Sequence, residues 1–347
     1  MTRNRRLLSG LLATLALVAA GLAGHALLRE QALSAGPATV AQTLRITPGS
    51  SLRSALQQLQ QQGLIRSARL LELWLRCCDA PSRQRLPDIH AGRYLIEPGQ
   101  PALVVLEQLV SGRVVLEQFT LIEGWNLRQL REALAQHPAI TRRSADVPAD
   151  QLLQSLGLGS GPAEGRFAPD TYRFEENTPD SQVLKMAFAA QQQRLARAWQ
   201  DRDPELPLAS PEQLLVLASL VEKETGLASE RPMIAGVFVN RLRRNMRLQS
   251  DPTVIYGLFE RYDGNIRKRD LQSDTPWNTY TRDGLPPTPI AMPGDAALRA
   301  SARPQSTPAL YFVARGDGSG AHEFTATLEQ HNQAVARYLA RLRQGER

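Results

Sequence analysis

Ser210–Gly226 reads SPEQLLVLASLVEKETG, and this run organises the larger part of the chain. Ser210 can cap a helix whose first residue, Pro211, needs no amide partner there. Gly226 can stop it. Between them Leu214, Leu217, Leu220 and Val221 recur at helical spacing and form one apolar stripe. Continuing the stripe by three or four residues lands on Glu224. Glu222 lies two positions away, about 200° around a helix, so the two glutamates cannot share a face. Glu222 and Lys223 therefore read as a solvated flank, and Glu224 as an extension of the buried face. A carboxylate on an apolar face is costly when ionised, which raises its pKa and suits it to general-acid work. The same periodicity also fits a helix-end glutamate that swings to water or pairs with an arginine such as Arg241.

Toward the C-terminus a second helix is expected over about 230–244, with Ile234, Val237, Phe238 and Leu242 as its core stripe. Polar and aromatic residues then crowd: Gln249, Asp251, Thr253 and Tyr256, followed by Asn278 and Tyr280 in Trp277-Asn278-Thr279-Tyr280. Pyranose faces stack on rings and their hydroxyls need hydrogen bonds, so this mixture suits a sugar groove. Proline-rich loop scaffolding is the competing reading, and it fits Pro286-Pro287 best. Asp251 precedes Pro252, a pair that commonly sets a turn. Ala309–Arg315 reads as a strand. His322 sits where a turn enters another strand and serves either a ligand or the turn. Thr327 with Gln330 makes a capping box for a last helix reaching about Leu342.

Toward the N-terminus, 145–205 reads as looser, with Gly157–Gly165 as a connector and a long helix over Ser181–Gln200. Residues 116–137 form a strand, a Glu123-Gly124 turn and a helix. Residues 43–117 alternate strand, helix, helix, strand: Thr43–Ile46, a stripe of Leu52, Ala55, Leu56 and Leu59, Ala68–Arg76, and Gly92–Glu97. A further helix spans Leu103–Leu109. Residues 29–42 read as a linker. Arg3, Arg5 and Arg6 precede the uncharged run Leu7–Leu28. At 1.5 Å per residue that run crosses a ~30 Å hydrocarbon core, and it exceeds a signal h-region of about 7–15 residues. The expectation is an uncleaved single-pass anchor, with residues 1–6 cytoplasmic and the rest outside, which in a bacterium means the periplasm or outer face of the inner (cytoplasmic) membrane.

The 347 residues are 42% apolar and 22% charged, which excludes wholesale disorder, collagen and a multi-span membrane protein. The net charge of +7 is carried almost wholly by arginine, with lysine only at 185, 223 and 268. The arginines form no basic run, and no nucleic-acid partner is expected. Cys77 and Cys78, the two cysteines, are adjacent, so neither a disulfide framework nor a zinc module can be built. The histidines, at 25, 90, 137, 322 and 331, have no metal-ligand spacing, and no metal or other cofactor is expected.

LASLVEKETGLASERPMIAGVFVNRL (217–242), LQSDPTVIYG (248–257), WNTY (277–280), GLPPTPIAMPG (284–294) and HEF (322–324) occur in this order. With EGW at 123–125 and PDTY at 169–172, the chain resembles the bacterial endolytic murein transglycosylases of the YceG-like family over nearly its whole length. The resemblance implies an α+β protein with an N-terminal transmembrane helix, a small LysM-like module at 43–117 and a larger catalytic domain at 118–347. It implies one catalytic glutamate in the EKET segment. That role is assigned to Glu224, because Glu-Thr parallels the Glu-Ser of other lytic transglycosylases, with Glu222 as the alternative. The implied substrate is the peptidoglycan glycan strand, cut between N-acetylmuramic acid and N-acetylglucosamine to leave a 1,6-anhydro end. Gln249, Asp251, Thr253, Tyr256, Asn278, Tyr280 and His322 are the candidates for holding it. Peptidoglycan synthases are candidate partners on nascent strands. Asn245, Trp277 and Thr288 depart from the family pattern, where glycine is common at the first and tyrosine at the second. Two other classes compete: a hydrolytic muramidase, with Asp251 as the second carboxylate it would need, and a non-catalytic wall-binding scaffold.

Overall fold

The computed structural model describes residues 2–78 and 87–345. The chain is mixed α+β and divides between Glu117 and Gln118 into two units, each with its own core.

The first unit opens with helix α1 (Thr2–Leu33). Its Leu11–Leu33 stretch is long and apolar enough to cross a membrane, and Leu11, Leu15, Leu17 and Leu22 are exposed, as lipid-facing side chains are. The helix ends later than the Leu7–Leu28 run suggests. Arg29–Leu33, read as the start of a linker, continues it, and Ala32 and Ala38 are buried. Strand β1 (Gln42–Ile46) is followed by α2 (Leu52–Gln61) and α3 (Ala68–Cys77). Strand β2 (Gly92–Ile96) pairs antiparallel with β1, Leu44 opposite Tyr94, and α4 (Ala102–Ser111) closes the unit. Local chemistry explains the helix starts: Ser51 Oγ accepts the Ser54 N–H and Ser67 Oγ the Leu70 N–H. Leu52, Ala55, Leu56 and Leu59 are the buried face of α2, as their spacing predicts.

In the second unit β3 (Glu117–Leu121) leads to α5 (Leu127–Gln136), which starts in a capping box of Asn126 and Gln129. Then come β4 (Ile140–Thr141), α6 (Leu152–Ser155), β5 (Asp170–Phe174), β6 (Thr178–Pro179) and α7 (Asp180–Gln200). β3 pairs with β5, and β4 runs parallel to β6. The stretch expected to be loose is well packed: Leu152, Leu153, Phe167 and Phe174 belong to a core. Its apolar residues are too dispersed to show a period, yet those just named share one core with residues of α5 and α7, and Leu195 and Ala198 join another with Leu214 and Leu217.

The centre of the unit is α8 (Pro211–Glu224), capped by Ser210. α9 (Arg231–Arg243), α10 (Asp251–Leu258), α11 (Lys268–Gln272) and α12 (Asp295–Ala302) follow, then the antiparallel hairpin β7 (Tyr311–Ala314) and β8 (His322–Thr325), and finally α13 (Leu328–Gly345). α7, α9, α10 and α12 all pack on α8. Every residue from Leu214 to Glu222 is therefore buried, not one stripe alone. This corrects the expected solvated flank: Lys223 is exposed, but Glu222 is internal. Asp251 begins α10 instead of an isolated turn. Asn245, where the family pattern favours glycine, has φ of 52°, a left-handed conformation that glycine adopts freely and asparagine tolerates.

Candidate active site

α8 ends at Glu224, and Thr225 leaves the helix in an extended conformation. Glu224 Oε1 accepts the hydroxyl of Ser250 at 2.5 Å. Ser250 is buried and occupies the cap position of α10, but its hydroxyl makes no cap. It is fixed from beneath: its N–H donates to Thr279 Oγ1 at 2.9 Å, and Thr253 Oγ1 donates to its carbonyl at 2.6 Å. Burial pushes the Glu224 carboxyl up to about 7, and the charge of Asp251 adds to this. The Ser250 bond and the Arg241 charge oppose it.

Glu224 lines a groove of about 400 Å³ together with Gln249, Asp251, Tyr280 and His322, four of the residues singled out in the sequence. Asp251 Oδ1 accepts the Tyr280 hydroxyl at 2.5 Å. Gln249 is exposed and has φ of 50°, an uncommon conformation for a side chain of its size, held by its N–H donating to the Thr279 carbonyl. His322 Nδ1 lies 2.7 Å from Glu230 Oε2. Three candidates sit elsewhere. Thr253 and Asn278 are fully buried. Asn278 donates to the carbonyls of Leu271 and Ser273 and accepts the Tyr280 N–H, so it shapes the groove wall from behind. Tyr256 lines a separate cavity of about 1190 Å³, packs edge-on against Trp277 and donates to Glu164.

Ser250, Arg241, Tyr311 and His331 were not among the site candidates. Arg241 had entered only as an ion-pair partner for Glu224. In the fold its guanidinium, buried in the groove wall, donates to the carbonyls of Leu310 and Leu248 instead. Tyr311 and His331 stack at 5.1 Å. Ser250 carried a signal, but the ordinary one of a residue before Asp-Pro at a helix start. Glu164 is also buried, with its carboxyl raised to about 7 by burial. It accepts the Leu127 N–H at the start of α5 and the Tyr256 hydroxyl. Nothing in its sequence neighbourhood marks it.

Glu222, the alternative acid, is committed elsewhere. Its Oε1 meets Arg231 at 2.9 Å and its Oε2 accepts the Gly294 N–H at 2.8 Å. Trp277 and Thr288, two departures from the family pattern, are partners: the indole N–H donates to Thr288 Oγ1 at 2.8 Å. Among the described residues no three His, Cys, Asp or Glu side chains converge as a metal site would.

Residues 44–337 match the YceG-like family. A Bacillus subtilis protein named endolytic murein transglycosylase is 29% identical over 314 residues, covering 86% of this chain and 84% of its own. A Streptococcus pneumoniae protein of the same name is 26% identical over 330 residues, and the match spans 58% of its length. Among solved structures, a yceG-like protein from Listeria monocytogenes superposes with a TM-score of 0.54 at 28% identity, covering 85% of this chain and 99% of that one.

Proposed function

The chain belongs to the YceG-like family, and from that premise we propose that it is a lytic transglycosylase that cuts peptidoglycan glycan strands within the chain. The observation that carries this is Glu224: one carboxyl on the wall of a polar groove, raised to about 7 and held by Ser250. Protonated Glu224 gives its proton to the bridging oxygen as the C1–O bond to the leaving N-acetylglucosamine breaks. The glutamate then takes the proton of the muramic C6 hydroxyl as that oxygen bonds to C1. The product is a 1,6-anhydro end, and no water is consumed. An internal nucleophile has a high effective concentration, so one carboxylate suffices where most glycosidases need two. Ser250 and Arg241 stabilise the carboxylate between the two proton transfers. Gln249, Tyr280 and His322 hold the sugar's amide and hydroxyl groups, with Thr253 and Asn278 bracing the wall.

α1 anchors the chain in the inner membrane with the site on the outer face, where nascent strands are made. Peptidoglycan synthases are the partners this location suggests. Residues 43–117 serve as a LysM-like module that retains the glycan. A hydrolytic reading is favoured by one observation, Asp251 in the same groove. Its Oδ1 accepts the Tyr280 hydroxyl, a bond that favours the ionised carboxylate and weighs against it as the base.

The test is digestion of purified peptidoglycan by the full-length chain in detergent, with E224Q beside it and products read by mass spectrometry. Ends one water lighter than hydrolysed ends, absent with E224Q, are expected. Reducing ends overturn the transglycosylase reading for a hydrolase using Asp251. Bound but uncut strands with both proteins overturn it for a scaffold.

A further inference from the structure

His322 is held by an arrangement stronger than a turn residue needs. Both oxygens of Glu230 go to this one residue: Oε1 accepts its backbone N–H at 2.8 Å and Oε2 meets ring Nδ1 at 2.7 Å. The two side chains are only 14% and 13% exposed. Phe312 stands edge-on to the imidazole at 5.5 Å, and Phe324 lies 6.3 Å away. A ring flip would break the Glu230 bond inside this aromatic slot.

A carboxylate only accepts, so Nδ1 carries a proton. In the neutral ring the other nitrogen, Nε2, is then a lone pair. Nδ1 faces Glu230, which is not part of the groove lining, whereas His322 is. The neighbouring groups differ from it in kind. Protonated Glu224 is a donor, Arg241 is a donor, the Tyr280 hydroxyl is given to Asp251, and Asp251 itself accepts as a carboxylate. A sugar presents hydroxyl and acetamido N–H donors, and an imidazole lone pair accepts them without adding a second negative charge beside Asp251, whose charge already bears on Glu224.

We propose that Glu230 locks His322 as the Nδ1–H tautomer so that Nε2 accepts a hydrogen bond from a hydroxyl or amide N–H of the bound sugar. Glu230 is a positioning residue, acting through His322. The proposal rests on the glycan reading of the groove for its ligand, but not for its tautomer.

E230Q tests both parts. The amide has one oxygen, which keeps the His322 backbone N–H. Its NH₂ then faces Nδ1 and drives the proton to Nε2, turning an acceptor into a donor without changing the shape of the pair. ¹⁵N spectra of histidine-labelled full-length chain in micelles read the tautomer directly: Nδ1–H is expected in the parent and Nε2–H in E230Q. Affinity for purified, uncrosslinked glycan strands is measured in an E224Q background, where no turnover occurs. E230Q or H322F is expected to weaken it about tenfold, the effect of one neutral hydrogen bond. H322Q, whose carbonyl reaches the place of Nε2, restores part of it and guards against a folding defect. An Nε2–H signal in the parent overturns the proposal. So does unchanged affinity in E224Q/E230Q once the spectrum shows the inverted tautomer. If E224Q itself binds no strand, the glycan reading fails and takes the ligand assignment with it, while the tautomer is judged by the spectrum alone.

Discussion

Ser250→Ala removes one hydroxyl, and its consequence can be worked from the 2.5 Å bond to Glu224. A hydrogen bond to a charged group contributes about 1.5–3 kcal/mol, and about 1.36 kcal/mol corresponds to one pKa unit. The bond favours the ionised carboxylate, so its loss raises the Glu224 pKa from about 7 by one to two units. Water entering the vacated space restores part of the bond, which makes about one unit the working figure. An acid catalyst must be protonated in the free enzyme, so kcat/KM falls about tenfold per pH unit above its pKa. The parent profile should therefore turn down near pH 7, and that of S250A near pH 8. The plateau on the acid side should drop, because the carboxylate left between the two proton transfers has lost a donor. The assay is release of anhydro ends from soluble strands between pH 5 and 10, with thermal melts confirming the fold. A basic limb that stays at pH 7 or moves down in S250A would refute the argument that Glu224 is the acid and Ser250 its tuning partner.

Three further outcomes separate structure from chemistry. E222A takes from buried Arg231 its nearer partner and leaves it Glu123 at 3.5 Å, so it should destabilise the protein, by less than the about 3–5 kcal/mol of a fully unpaired buried charge, whereas E224Q should melt close to the parent while losing activity; equal melting of the two variants contradicts the assignment. Glu164 has its folded pKa raised from 4.5 to about 7, so the stability it allows is fully present below about pH 4.5 and is lost as pH rises through 7. E164Q does not titrate, so its melting temperature should gain on the parent from pH 5 to 8, by up to about 3 kcal/mol in free energy; a pH-independent difference rules this out. Gly236→Ala, which in an exposed helix gains about 1 kcal/mol, should instead destabilise by more than about 1 kcal/mol, since the new Cβ would sit 2.3 Å from the Gln305 carbonyl oxygen; urea unfolding checks the sign.

What was legible in the sequence was local. Ser210 starts a helix that it caps itself, and Thr327 with Gln330 starts the last one, so these boundaries needed no knowledge of the fold; the caps by Ser51, Ser67 and Asn126 are of the same kind. The helical wheel separated Glu224 from Glu222, but its premise of one buried face failed. α8 is sheathed on several sides, so Glu222 became a buried ion-pair partner instead of a solvated residue. Ser250 and Glu164 act across 26 and 37 residues of chain, on Glu224 and on Leu127, and no period or spacing reports such pairings; Arg241 was named beside Glu224, but as an ion-pair partner and not as the hydrogen-bonded groove wall it forms.

Glu164 and Glu224 share a carboxyl raised to about 7, yet their settings differ. Glu164 faces the N-terminus of α5, where the helix dipole and the Leu127 N–H favour the ionised form. Its bonds tie the 157–165 segment to α5 and α10. Glu224 sits at the C-terminus of α8, where the dipole's negative end opposes ionisation and adds to burial. A proton held by that end is easily given to a substrate oxygen, and the Ser250 hydroxyl with the Arg241 charge limits the cost of the anion left behind. That combination requires a glutamate at the end of a buried helix, which is why Glu224, and not the better-paired carboxylates around it, is proposed as the acid.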